Sequence, residues 1–158
     1  MAKILVVDDN PIVQSVLKFL IEEHFADCRV DEAIDSDSSI EKIKRNDYDL
    51  VMIDINMPGV DSVDHVFNLL TIQPGLKILM FGIDPEAVPA QRCLGIGSMG
   101  YLAKNESEKE ITTAVKRLLQ NKKYISPRLT RVSMSSPQIN ESHDPSIIFL
   151  PLLKQHSL

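Results

Sequence analysis

Five short apolar runs alternate with five stretches of helical periodicity, and this alternation limits the fold of the 158-residue chain more than any other feature. The first run, Lys3-Ile4-Leu5-Val6-Val7, stops at Asp8-Asp9 and reads as a strand buried on both faces. Asn10-Pro11 follows, a helix-capping residue and then proline at the first helical position, where its missing N–H costs nothing. Ile12, Val13, Val16, Leu17, Leu20 and Ile21 then recur at helical spacing. The first unit is therefore strand, acidic turn, helix.

The same alternation continues. Residues 29–33, 49–54, 77–81 and 100–103 read as strands. Residues 35–45, with Ile40 and Ile43 inward, and 62–70 read as helices. Residues 84–94 predict a helix, but Pro85 and Pro89 cannot both occupy its first position, so a short or late-starting helix is expected. Ser107-Glu108-Lys109-Glu110 is a capping box, and Ile111, Ala114, Val115, Leu118 and Leu119 extend it as a helical stripe. Five β–α units imply an α/β fold, a doubly wound parallel sheet with helices on both faces.

Charge separates two regions. Residues 1–127 carry 14 Lys/Arg and 20 Asp/Glu, whereas residues 128–158 carry three and two, with six Ser and three Pro. The chain thus reads as an acidic domain over 1–127 and a linker or tail over 128–158. A net charge of −5 argues against a nucleic-acid surface over the whole chain. No apolar run is long enough for a membrane span or a signal peptide, so a cytoplasmic protein is expected. Cys28 and Cys93 lack metal spacing and read as free, small apolar residues. His24, His65, His143 and His156 show no ligand spacing.

In such sheets, ligands bind beyond the carboxyl ends of the strands. Those ends carry Asp8 and Asp9 after the first strand, Asp54 on the third, Gly82 after the fourth and Lys104 after the fifth. A convergent carboxylate cluster repels itself unless a cation joins it, and oxygen-only ligands suit Mg²⁺ or Mn²⁺. Lys104 adds a fixed charge that can hold an anion beside the metal. Metal and ammonium around a carboxylate are what a phosphoryl acceptor needs.

Val7-Asp8-Asp9-Asn10, Ile53-Asp54-Ile55-Asn56-Met57-Pro58-Gly59 and Gly100-Tyr101-Leu102-Ala103-Lys104 together resemble the receiver domain of two-component response regulators over residues 2–127. Residues 97–102 and Tyr124-Ile125-Ser126-Pro127 resemble its NarL/FixJ-type branch. The resemblance implies a flavodoxin-like five-stranded (βα)5 sheet of order 2-1-3-4-5. It implies Asp54 as phospho-acceptor from a sensor histidine kinase or histidine phosphotransfer protein. Asp9 and Asp54 would ligate Mg²⁺ directly, Asp8 through water, and the backbone carbonyl of Asn56 would complete the protein ligands. Lys104 would pair with the phosphoryl group, Tyr101 would be the aromatic switch, and Asn56, Ile83 and Asp84 would flank the site. A homodimer through the face of the fourth helix, fifth strand and fifth helix is also implied.

Two departures stand out against that pattern. Gly82 occupies the position where Ser or Thr is usual, so phosphorylation of Asp54 with weakened coupling to Tyr101 is expected. Ile83 replaces a small residue and is expected to crowd the phosphate's access. Residues 128–158 contain no helix-turn-helix, so direct DNA binding by this chain is not expected; Ile147-Ile148-Phe149-Leu150 is its one sticky stretch. Three other readings compete. A haloacid dehalogenase-like phosphatase wants a second Asp at position 56, where Asn stands. A flavodoxin-like nucleotide or flavin binder would find the ligand's phosphate repelled by Asp8-Asp9. A receiver-like module that binds constitutively is kept open by Gly82.

Overall fold

The computed structural model describes residues 1–83 and 88–127. In chain order the elements are β1 (Ala2–Val7), α1 (Pro11–His24), β2 (Cys28–Ala33), α2 (Ser36–Arg45), β3 (Leu50–Asp54) and α3 (Ser62–Ile72). Then come β4 (Ile78–Gly82), α4 (Val88–Ile96), β5 (Gly100–Ala103), α5 (Glu108–Leu119) and β6 (Tyr124–Ile125). The sheet is parallel throughout, with strand order β2-β1-β3-β4-β5-β6.

Alternating side chains build two cores. Leu5, Val7, Val51, Ile53, Ile78, Met80 and Tyr101 face one side with Val66 and Leu69 of α3. Ile4, Val6, Leu50, Met52, Leu79, Phe81 and Leu102 face the other, against Leu17, Leu20 and Ile21 of α1 and Ile111, Ala114, Val115 and Leu118 of α5. Every residue of β3, β4 and β5 is buried. This explains why these runs read as continuous rather than alternating in hydrophobicity.

The five expected strands and five helices form in the expected order. The proline conflict resolves as a late helix, with α4 beginning at Val88. Asn10 caps α1, its side chain accepting from the Ile12 N–H at 2.9 Å, with Pro11 at the first helical position.

Several details differ from expectation. Ile12 and Val16 lie on the exposed side of α1 with Phe19, so the inward face rests on Leu17, Leu20 and Ile21 with Val13. Cys93 is buried, but Cys28 is only half-buried. The capping box of α5 forms one arm only: Ser107 accepts from the Glu110 N–H, while the Glu110 carboxylate accepts from the Tyr124 hydroxyl at 2.5 Å. A complete box forms instead at α2, between Asp35 and Ser38.

A sixth strand extends the five-stranded sheet. The Tyr124 N–H bonds the Met99 carbonyl at 3.2 Å, and the Ser126 N–H bonds the Tyr101 carbonyl at 2.8 Å. Gly100 admits this strand, because a Cβ there would lie 2.6 Å from the Tyr124 carbonyl oxygen. The segment 128–158, including Ile147–Leu150, lies outside the described residues, as does Asp84.

Candidate functional site

β1 and β3 lie side by side at the centre of the sheet, where the chain reverses its direction of travel across it. Their carboxyl ends therefore open a crevice, and both end in an acid. Each acid is held by the same local device. Asp8 Oδ1 accepts from the Asn10 N–H at 2.8 Å, and Asp54 Oδ1 accepts from the Asn56 N–H at 2.8 Å. An aspartate bonding the N–H two residues on turns the chain sharply while aiming its second oxygen elsewhere.

Those second oxygens meet Lys104, delivered from the end of β5, across β4. Its Nζ lies 3.1 Å from Asp8 Oδ2 and 3.2 Å from Asp54 Oδ2. The lysine is fixed along its length: its N–H bonds the Gly82 carbonyl at 2.7 Å, and its ammonium sits 5.2 Å from the centre of the Phe81 ring. Asp8 is fully buried and Asp54 is 3% exposed. Asp9 is exposed at the mouth.

Charge at this site is unbalanced. Burial pushes the Asp8 carboxyl above its ordinary range, and the Asp54 charge adds to this; the Asn10 N–H and Lys104 pull it back down. Carboxylate oxygens of Asp8, Asp9 and Asp54 lie within 4.8 Å of one another. Three carboxylates against one ammonium leave two negative charges, which one divalent cation would balance. The donors are all oxygen, and one acid is open to water, so the residues present fit Mg²⁺ or Mn²⁺.

Gly82 has no side chain to offer, and adding one would require neighbouring side chains to shift: a Cβ at this position would lie 2.7 Å from Ile55 Cγ1 and 2.8 Å from Asn56 Oδ1. Simple restoration of a hydroxyl through Gly82→Thr would displace both neighbours. Asn56 Oδ1 accepts from the Ile83 N–H at 2.9 Å, tying the loop after β3 to the loop after β4. Ile83 is 68% exposed. Tyr101 is fully buried, and its hydroxyl donates to the Gly82 carbonyl at 3.4 Å. Asp8, Asp9, Asp54, Asn56, Gly82, Ile83, Tyr101 and Lys104 are thus brought to one end of the sheet.

Sequence reasoning left His65 without a role. It is buried between α2 and α3, with Nε2 2.7 Å from Ser39 Oγ. No spacing signal could have paired two residues 26 apart on different helices. Cys93 lies in the core, where burial pushes its thiol up to about 12 and makes it unreactive.

This constellation on this sheet defines a class, and comparison with known proteins identifies it. Residues 4–116 match the response regulator receiver domain, and the chain belongs to that family of two-component signalling receivers. It is 26% identical over 156 residues to the glycerol metabolism activator of Pseudomonas putida, covering 98% of this chain and 70% of that protein. It is 26% identical over 145 residues to response regulator GacA of Pseudomonas syringae pv. syringae (strain B728a), covering 90% of this chain and 68% of that protein.

Among solved structures, a LuxR-family two-component response regulator from Aurantimonas sp. SI85-9A1 superposes with a TM-score of 0.77 at 25% identity, over 83% of this chain and 94% of that one. Response regulator TrrA from Thermotoga maritima, solved in complex with Mg²⁺-BeF, superposes with a TM-score of 0.64 at 26% identity, over 75% of this chain and 99% of that one. Receivers of this family are signalling domains that interact with histidine kinases or other phosphodonors, not enzymes in the ordinary sense.

Proposed function

We propose that this chain accepts a phosphoryl group on Asp54 from a phosphohistidine of a sensor histidine kinase or phosphotransfer protein. An Asp54 oxygen attacks phosphorus in line, the P–N bond breaks and the imidazole leaves. The observation that carries this reading is the convergence of Asp54, Asp8 and Lys104 within 3.2 Å at the ends of three strands. Such transfer is chiefly positioning and charge neutralisation. Asp8, Asp9, Asp54 and the backbone carbonyl of Asn56 would hold Mg²⁺, which when bound offsets charge on the transferring group. Lys104, released from its two carboxylates, pairs with the new phosphoryl oxygens, while the Asn56 N–H keeps the Asp54 carboxyl oriented.

Phosphorylation then adds charge beside Gly82, whose carbonyl already accepts from both Lys104 and Tyr101. That shared acceptor is the route from the site to the face of α4, β5 and α5, where homodimer or partner contacts would change. With no side chain at position 82, this coupling is weak. Residues 1–127 form the receiver and 128–158 its tail, the chain acts in the cytoplasm, and it signals by protein contacts without binding DNA itself. Transcription regulation would require a DNA-binding domain beyond this chain. Catalysis extends at most to self-phosphorylation from small phosphodonors and slow autodephosphorylation.

The test is incubation with Mg²⁺ and acetyl phosphate or beryllofluoride, with Asp54→Asn as control. An adduct that depends on Asp54 is expected by mass spectrometry or ¹⁹F NMR. Folded, Mg²⁺-bound protein without an adduct would leave only the constitutive module, and steady turnover of phosphoesters would indicate the phosphatase.

A further inference from the structure

Lys104 reaches its two carboxylates from a distance. Its strand, β5, is separated from β3 by β4. Neighbouring strands lie about 4.8 Å apart, so the side chain spans about 10 Å to meet Asp54. The residue it crosses is Phe81. Position 81 is the register partner of Asp54 on one side and of Leu102 on the other. Phe81 and Leu102 share the core formed with α1 and α5, and Lys104, two residues after Leu102, continues on the same side of the sheet. Phe81 is 2% exposed, and the Lys104 ammonium stands over its ring, 5.2 Å from the centre.

The partners of that ammonium are of two kinds. Asp8 Oδ2 at 3.1 Å and Asp54 Oδ2 at 3.2 Å belong to the groups that metal and phosphorus would engage, so the proposed reaction gives up both contacts. The Phe81 ring is neither ligand nor reactant, and its face attracts a cation whatever the carboxylates do. We infer that Phe81 is a positioning residue, whose ring holds the Lys104 ammonium at the site while the lysine exchanges its carboxylate partners for the phosphoryl group. Without the ring, a lysine freed from Asp8 and Asp54 returns its ammonium to water and regains side-chain entropy. The inference rests on the receiver reading and gives a buried core aromatic a part in the transfer.

Two measurements on the full chain test this. The first is the ¹H–¹³C spectrum of lysine-labelled protein, with the Lys104 ε-methylene assigned through Lys104→Met. Its resonance is expected upfield of the other lysines, because it lies beside an aromatic face. It should stay upfield after Mg²⁺ and beryllofluoride are added, and lose the shift in Phe81→Leu. The second is the rate at which acetyl phosphate and Mg²⁺ phosphorylate Asp54, acetate leaving as the Asp54 oxygen bonds phosphorus, read by intact mass. Position 81 carries phenylalanine or its mono-, di- and trifluorinated forms, which keep the shape of the ring and progressively remove the negative charge of its face.

The rate should fall stepwise along the series, by about threefold to thirtyfold in all, the range of a cation–π contact. In Lys104→Met the same series should be flat, because the ring then has no cation to hold. A flat or rising series with Lys104 present overturns the inference alone, as does an equal fall with and without Lys104, which would mean that the ring acts through packing. Loss of the upfield shift on adding beryllofluoride also overturns it, since the lysine would then leave the ring with the carboxylates. Absence of an Asp54-dependent adduct in the wild type overturns the receiver reading and this inference with it.

Discussion

Acidification should destabilise this fold through His65, and the size of the effect follows from its surroundings. Ser39 Oγ lies 2.7 Å from both the Ser36 carbonyl and His65 Nε2. A carbonyl can only accept, so the single serine proton goes to Ser36 and the imidazole donates through Nε2. The Nδ1 lone pair is buried with no partner among the described residues. Protonation would place an N–H⁺ there without an acceptor, and burial accordingly lowers the His65 pKa from 6.5 to about 4.

The folded state thus binds fewer protons than the unfolded chain between these two values. The contribution is complete above pH about 6.5 and is lost as pH falls toward about 4. Linkage gives a loss of about 1 kcal/mol near pH ~5.5 and roughly 2–3 kcal/mol near pH ~4.5. The assay is urea unfolding followed by circular dichroism across this range, comparing wild type with His65→Leu. Leucine fills a similar volume, and Ser39 keeps its bond to Ser36. Other titrating groups are common to both proteins, so the difference between them isolates His65. The stability gap should shift in favour of the leucine variant by about 2 kcal/mol or more between neutral pH and pH ~4.5. A gap constant with pH would refute the reasoning, since it would mean that the buried imidazole titrates as it does in water.

Other consequences are testable in the same way. Gly100→Ala should cost about 1–3 kcal/mol by denaturant unfolding, because its Cβ would collide with the Tyr124 carbonyl oxygen. Ser107→Ala should cost about 1 kcal/mol by the same measurement, since it removes the only side-chain arm capping α5 at Ser107. Ile12→Ser and Val16→Ser should each leave stability within about 0.5 kcal/mol, because both side chains are exposed; a larger loss would place them in a packed interface. Removing Mg²⁺ with a chelator should lower the melting temperature of the wild type, and Asp9→Asn, an exposed acid, should abolish most of that response.

The strands were legible because β3, β4 and β5 are buried along their whole length, so each announces itself as an unbroken apolar run. Asp8, Asp54 and Lys104 were legible because the parallel sheet brings strand ends together whatever lies between them in sequence. What was not legible depends on tertiary contact. A two-residue strand such as β6 has no period to detect; it exists through the Tyr124 and Ser126 bonds to the stretch around β5. Ile12 and Val16 share the helical spacing of the core residues, and only the position of α1 on the sheet decides that they face outward. The half-formed box at Ser107 was overridden because Tyr124, 14 residues later, captures the Glu110 carboxylate. Gly82 looked like a missing hydroxyl, but its neighbours Ile55 and Asn56 fill the corner instead.

β6 also has a mechanical consequence. Because it runs parallel to β5, the backbone at Ser126 is fastened directly to the Tyr101 carbonyl, three residues before Lys104. Ser126 is thereby tied to β5 itself, with no slack turn between them. A displacement of β5 would carry Tyr124–Ser126 with it, as a drawbar pulls a trailer.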